Sequence, residues 1–484
     1  MAAEQEQDQD RSSHFTDPIY TETDEKSDRW MHASRMGARC LSCALERLSK
    51  INIITNPKYQ KDGLKSYAYL LNEWGFNPTQ PGPYVQIAGP SNSGHQGLLS
   101  KLGKNSARLL VKKVGVSRDG SSVITEFVPV RDQQNENLYH CTVSIGTPPQ
   151  TLVLHFDTAS ADSWVWSTEL SKNMQSAAKC NGHELFDSTK SSTFTKMRGS
   201  TWKITHGDHS AVSGIVGTDT VVLGGLEVTG QAIELAKSLS ERVAPGVGDG
   251  ILGLAFRSIN TVTPKAVSTP VENMITQPDI PKGAELCTAK IGSWCDADEP
   301  DDEGAGFYTF GYIDLPTVEA SGQDIYYTPV DSSDGFWTVS SGSTIVNDTV
   351  VTKGGKTAII DTGSPLTLVS DVVCQAIYGS IEGAVYDPQD QGWVFPSITT
   401  LDQLPTVSVA IGDKQFTINK EDLGFATTSN STIYSSIQSR GDMDFDILGH
   451  AFLKGVYAIF DQGNRRFGAV ERPQEYQDMG FVLA

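Results

Sequence analysis

Phe156-Asp157-Thr158-Ala159-Ser160 and Ile360-Asp361-Thr362-Gly363-Ser364 are two versions of one stretch. Each is reached through an apolar, β-branched run, Thr151-Leu152-Val153-Leu154 in the first and Thr357-Ala358-Ile359-Ile360 in the second. Both are therefore predicted to be strands that deliver an Asp into a tight turn. The echo continues downstream. Asp249-Gly250-Ile251-Leu252-Gly253 starts 92 residues after Asp157 (249 − 157), and Asp446-Ile447-Leu448-Gly449 starts 85 residues after Asp361 (446 − 361). The same order at similar spacing predicts a duplicated lobe, and two carboxylates on matching turns predict one shared site.

The chain is long enough, at 484 residues, for more than one ordinary domain. Frequent Gly (45 residues), with β-branched residues alternating with polar ones, predicts an all-β class with a large core. A net charge of −20 argues against nucleic acid or an anionic membrane as partner, since both would be repelled. Two readings of that charge stand: an acidic soluble surface, or adaptation to acidic surroundings. Seven scattered cysteines do not make a dense disulfide scaffold. Cys287 and Cys295 have the spacing to close a small hairpin loop. The lone Cys40-x-x-Cys43 lacks the second ligand pair that a zinc site needs.

Along the chain, the first ~35 residues are rich in Gln, Asp, Glu, Ser and Thr and read as disordered. No secretory signal is visible. The best early apolar patch, Cys40 to Leu45, is short and runs into Glu46 and Arg47, so the chain as written reads as intracellular; the rival is a misassigned first exon. Leu64 to Trp74 is predicted to be a short helix, and Lys101 to Lys113 a second basic segment with Lys101, Lys104, Arg108, Lys112 and Lys113. Period-two segments then recur at Leu138 to Ile145, Thr201 to Thr205, Gly214 to Leu223 and Tyr308 to Tyr312. More follow at Trp337 to Ile345, Thr406 to Ile411, Gln415 to Ile418 and Val456 to Phe460. Asn347-Asp348-Thr349 and Asn430-Ser431-Thr432 are glycosylation acceptors if the chain is secreted.

The paired Asp-Thr-(Ala/Gly)-Ser turns with their Ile-Leu-Gly partners resemble the pepsin family of aspartic proteases, most closely its fungal endothiapepsin-like or penicillopepsin-like branch. Ile145 to Gln150, Ser163-Trp164-Val165-Trp166, Gly248 to Phe256, Phe310 to Asp314 and Ala458 to Asp461 extend the match from about Tyr139 to the C-terminus. The resemblance implies a bilobal all-β acid-protease fold with the active-site cleft between two related β-lobes, preceded by a propeptide-like extension. The expected domains are 1–138 (disordered N-terminus and propeptide-like segment), 139–325 (lobe with Asp157 and the flap) and 326–484 (lobe with Asp361). It further implies a peptide or protein substrate, a monomer, no metal and no cofactor, and secretion or delivery to a vacuole if the N-terminus is misassigned.

By the same resemblance Asp157 and Asp361 are the catalytic dyad. Thr158 and Thr362 brace the turns across the lobe interface, Gly363 shapes the second turn, and Ser160 and Ser364 bond the outer carboxylate oxygens. Two close carboxylates sharing one proton suit peptide hydrolysis, one activating water while the other donates to the carbonyl. The flap is expected at Ile204 to Ser210, with His206, Gly207 and Asp208 meeting substrate and Trp164 beneath. Basic residues of the N-terminal extension would pair with the dyad and block the cleft until low pH breaks the pairing.

Several positions depart from the family pattern. Ala159 stands where Gly is usual and is expected to strain a left-handed backbone or crowd substrate. His206 replaces a Tyr and His209 a Gly, and Pro365 replaces a hydroxyl residue. The positions of the usual second-lobe bridge are Ser397 and Ile433, so that bridge is absent. His206-x-x-His209 also admits a metal reading, without a third ligand. Together these leave a rival of another class: an intracellular pepsin-fold protein reassigned to binding or to a small-molecule pathway.

Overall fold

A computed structural model describes residues 48–55, 59–88, 108–116, 123–127, 139–205, 211–239, 248–277, 282–293 and 306–472. Ser49–Ala484 forms one compact unit, and it is predominantly β.

The duplication read from the sequence is a duplication of strand pairing. The strand Gln150–Asp157 runs parallel to Gly250–Gly253, with Asp157 opposite Gly253. Trp164–Val165 lies antiparallel to Gly250–Gly253 and parallel to Leu226–Leu239. In the second half Thr357–Ile360 runs parallel to Asp446–Leu448, which lies antiparallel to Thr367–Val369, itself parallel to Ile437–Ser439. Each Asp-bearing strand is thus flanked by its own Ile-Leu strand, whose apolar side chains are buried at Leu252, Ile447 and Leu448. The repeated triplet is what a strand buried on both faces requires.

An antiparallel layer joins the halves. Leu286–Ile291 pairs with Gly306–Phe310 on one side and with Val456–Asp461 on the other, and Tyr326–Pro329 closes the edge against Arg466–Glu471. Trp337 Nε1 donates to Leu254 O at 2.9 Å, and its ring meets Phe256 and Phe460 at 4.9 and 5.1 Å. Such aromatic packing buries large apolar area where the lobes meet.

The segment before Tyr139 is built into this unit. Ile51–Thr55 is a strand between Gly306–Phe310 and Tyr139–Ile145. The expected helix is present as Gly63–Trp74, capped by Asp62, whose side chain accepts the Lys65 N–H, and ended by Gly75 at φ 73°. Its buried face (Tyr67, Ala68, Leu71, Trp74) shares a core with Ala159, Phe336, Leu366, Tyr434 and Phe445. Gly63 is required there, because a Cβ would fall 2.1 Å from the Tyr434 ring. The described part of the second basic segment is extended: Arg108–Val116 is a strand between Tyr84–Ala88 and Val123–Phe127, with Leu109, Leu110 and Val111 buried. A run of β-branched and leucine residues outweighs its lysines. Lys101 and Lys104 lie outside the described residues, as do Cys40, Cys43 and Cys295. Cys287 is a buried free thiol. Among the described residues no helix is long and apolar enough to cross a membrane.

Candidate active site

Each turn is first a local structure. Asp157 Oδ1 accepts the Ala159 N–H at 2.7 Å and Asp361 Oδ1 accepts the Gly363 N–H at 2.8 Å, so each carboxylate caps the turn that carries it. The turns are then locked back to back. Thr158 N donates to Thr362 Oγ1 at 3.1 Å and Thr362 N to Thr158 Oγ1 at 3.0 Å. Thr158 Oγ1 donates to Ile360 O and Thr362 Oγ1 to Phe156 O, both at 2.9 Å. Each hydroxyl therefore accepts from one lobe's amide and donates to the same lobe's carbonyl, and all these groups are buried.

The second carboxyl is the more enclosed. Asp361 is 2% exposed, and burial followed by the Asp157 charge raises it to about 7. Ser364 Oγ, donating to Oδ2 at 2.6 Å, and the Gly363 N–H pull it down, while Glu73 pushes it up. The pair favours one proton over none across acid and near-neutral pH. On the first turn, Ser160 Oγ accepts the Asp162 N–H at 3.3 Å.

The left-handed backbone expected at Ala159 is not there: neither Ala159 nor Gly363 has a positive φ. The constraint is space. A Cβ on Gly363 would sit 2.7 Å from Asp157 Oδ1, whereas the first turn carries its Cβ at the equivalent position. The two sides of the site are sterically unequal.

The hairpin strands Thr195–Thr205 and Ala211–Leu223 pair up to Thr205 opposite Ala211. His206, Gly207, Asp208 and His209 lie outside the described residues. Trp164 stacks on Trp202, ring centroids 6.0 Å apart, and both indoles are buried. Pro365 is buried behind the second turn. Among the described residues no group of three or more His, Cys, Asp or Glu side chains suits a metal ion.

Three buried histidines behind the turns were not singled out by the sequence reading. His450 follows Ile447-Leu448-Gly449 directly; its N–H donates to Ser364 O and its Nε2 lies 3.0 Å from Thr362 O. His155 Nδ1 lies 3.2 Å from Tyr139 O, close enough to Asp361 to feel its charge. Burial lowers His140 and His450 to about 3 and lowers His155 as well. Position after a repeated triplet was the available signal for His450; nothing local marks the other two.

The helix Gly63–Trp74 reaches this site. Trp74 packs on Phe336 and Phe445 at 5.5 and 5.9 Å, Tyr67 Oη donates to Ser439 O at 2.8 Å, and Lys61 stands 5.6 Å over Phe425. Asn77 holds Asp442 through its N–H and side-chain amide, and Gln391 brackets the Tyr84 backbone.

Residues 138–471 match the family model of the eukaryotic aspartyl protease. Penicillopepsin-1 of Penicillium rubens is 38% identical over 339 residues, 69% of this chain and 78% of that protein. Aspergillopepsin-1 of Aspergillus oryzae is 36% identical over 350 residues, 72% of this chain and 82% of that protein. Aspergillopepsin-1 of Aspergillus fumigatus is 36% identical over 352 residues, 72% and 80% of the respective chains. These relatives favour the protease reading over the reassigned binding protein. The chain belongs to the eukaryotic aspartyl protease family, in its pepsin-like branch, and is an aspartic-type endopeptidase.

Proposed function

We propose that Asp157 and Asp361 are the catalytic dyad, working on an extended peptide in the cleft between the lobes. The observation that carries this is the mutual locking of Thr158 and Thr362, which fixes two carboxylates of opposite lobes against one another. Burial and the Asp157 charge keep a proton on Asp361. The ionised carboxylate takes a proton from a water held between the pair as the water oxygen attacks the peptide carbonyl carbon, and the protonated carboxyl donates to the carbonyl oxygen. Collapse of the tetrahedral intermediate returns a proton to the leaving amine nitrogen. Thr158 and Thr362 hold geometry; Ser364 and the Gly363 N–H stabilise negative charge on Asp361.

The chain is, on this reading, a zymogen of fungal type acting as a monomer, without nucleic acid or membrane partners. Residues 1–138 would be the inhibitory segment, 139–325 and 326–484 the two lobes. The burial of Trp74 beside Ala159 and the electrostatic reach of Glu73 to Asp361 support a helix that fills the cleft. His206, Gly207 and Asp208 would form the flap tip above Trp164. The test is cleavage of a mixed peptide library between about pH 3 and about pH 7, with and without a transition-state-mimicking inhibitor. Acid-favoured, inhibitor-blocked cutting supports the dyad; inhibitor-insensitive or absent cutting after removal of the segment refutes it.

A further inference from the structure

A second pair of carboxyls meets away from the dyad. Asp162 lies on the first catalytic turn and is 2% exposed; Glu234, in the strand Leu226–Leu239, is fully buried. Asn260 Nδ2 bridges them, 2.9 Å from Asp162 Oδ1, 2.8 Å from Glu234 Oε1 and 3.0 Å from Ala161 O. Thr261 N also donates to Asp162 Oδ1 at 2.7 Å. Glu234 Oε2 is buried with no donor, and the Asn260 amide nitrogen they share sets the two carboxyls side by side. Two such oxygens repel when both are ionised and bind strongly when one carries a proton.

The surroundings favour the shared proton. Burial first, then the Asp162 charge, push Glu234 well above the ordinary carboxylate range, against the donors on Asn260 and Ser163. Among the described residues Asp162 is the titratable group that faces it. The adjoining strands put Val216 and Trp164 opposite Glu234, and Gly250–Gly253 carries no ionisable side chain. Lys237 on the same strand and Arg257 on the neighbouring short helix are exposed.

We propose that Asp162 and Glu234 share one proton, and that this proton positions the turn bearing Asp157, so that its loss to solvent as pH rises lowers activity. The inference rests on the assignment of Asp157 to the dyad. The connection is short. The Asp162 N–H holds Ser160 Oγ, Ser160 O accepts from Ala255 N at 2.9 Å, Asp157 O accepts from Leu254 N at 2.8 Å, and Gly253 N donates to Ser163 Oγ at 3.3 Å. Glu234 N is bonded to Ser163 O at 2.9 Å. Two anions at the far end of this turn would force Asp162 away from Glu234, and Ser160 moves with it.

The sign follows from the raised carboxyl: its stabilisation is complete below the ordinary carboxylate range and is lost as pH rises through the folded value. The test compares the full chain with Glu234→Gln, which keeps the shape, donates toward Asp162 and cannot ionise. Melting temperature against pH should fall less steeply toward alkaline pH in Glu234→Gln than in wild type. The alkaline limb of kcat/KM should move up by about one pH unit, roughly tenfold more activity on that limb, with the acid limb unchanged. Asp162→Asn, a second neutral variant, should do the same, which covers a failure of the first to fold. Unchanged melting profiles would overturn proton sharing; changed melting with an unchanged limb would overturn positioning. A chain with no activity at all after acid activation would refute the dyad assignment, and the melting comparison would still decide the shared proton.

Discussion

Thr158 and Thr362 exchange hydrogen bonds across the lobe interface: each backbone N–H donates to the other's hydroxyl, at 3.1 and 3.0 Å, and each hydroxyl passes a bond on to the carbonyl preceding the other's Asp. The arrangement makes each lobe the scaffold of the other's Asp-bearing turn. Replacing either Thr by Val keeps the volume but strips an acceptor from one buried N–H and a donor from one buried carbonyl. Each unmet buried group costs about 1–3 kcal/mol. We expect each single variant to lose about 2–4 kcal/mol of stability in urea unfolding, and the double variant to depart from the sum, since the two hydroxyls are neighbours in one buried network and relax together.

The steric inequality of the two turns predicts an asymmetric response to a methyl group. Gly363→Ala places a Cβ 2.7 Å from Asp157 Oδ1, closer than carbon and oxygen tolerate, so the carboxylate must move. A displaced catalytic group costs about a hundredfold in rate. Ala159→Gly, by contrast, removes a Cβ that the backbone already accommodates and should leave kcat within about threefold of wild type. Steady-state kinetics on one peptide decide this.

The buried histidines predict a weakness in acid. His140 and His450 sit at about 3, below the ordinary 6.5. The unfolded chain takes up protons that the folded one refuses, so stability falls as pH drops from about 6.5 toward about 3. Asp361 and Glu234 act in the opposite sense at higher pH. Melting temperature should therefore peak in mild acid. His450→Asn, whose amide can still donate to Thr362 O, should flatten the acid side of that curve in calorimetry.

If the helix Gly63–Trp74 fills the cleft, loosening it should raise activity before it lowers stability. Trp74 is fully buried against Phe336 and Phe445. Trp74→Ala forfeits about 3–5 kcal/mol of packing, and Gly63→Val drives a side chain into the Tyr434 ring. Both variants should cleave peptide without prior processing, at a rate at least about tenfold above the intact wild-type chain. Equal rates would contradict occupancy of the cleft.

Much of this was legible from residues alone, for physical reasons. The Asp-bearing strands are short apolar runs ended by turn formers, and the repeated Ile-Leu-Gly triplets mark the duplication, while their pairing with those strands shows only in the fold. Thr357 to Ile360 coincides with a strand, and Val456 to Phe460 falls one residue short of one. Trp337 to Ile345 is instead broken into Thr338–Ser340 and Ser343–Val346, because Ser341 and Gly342 interrupt the ladder. The long strand Leu226–Leu239 was invisible, since Gly230, Gln231 and Lys237 disguise its alternation around an irregular register. Glu234 and His155 escaped for a deeper reason: a polar residue is marked as buried only by partners distant in sequence. Ala159 misled because a Gly in the family pattern suggested a backbone requirement, whereas the limit is the space beside a carboxylate.

A shared dyad is tested most simply by peptide cleavage by the activated protein beside Asp157→Asn and Asp361→Asn. It predicts acid-favoured cutting by wild type and loss of at least about a thousandfold in each variant, with folding intact. Cutting that survives either substitution would contradict the shared dyad.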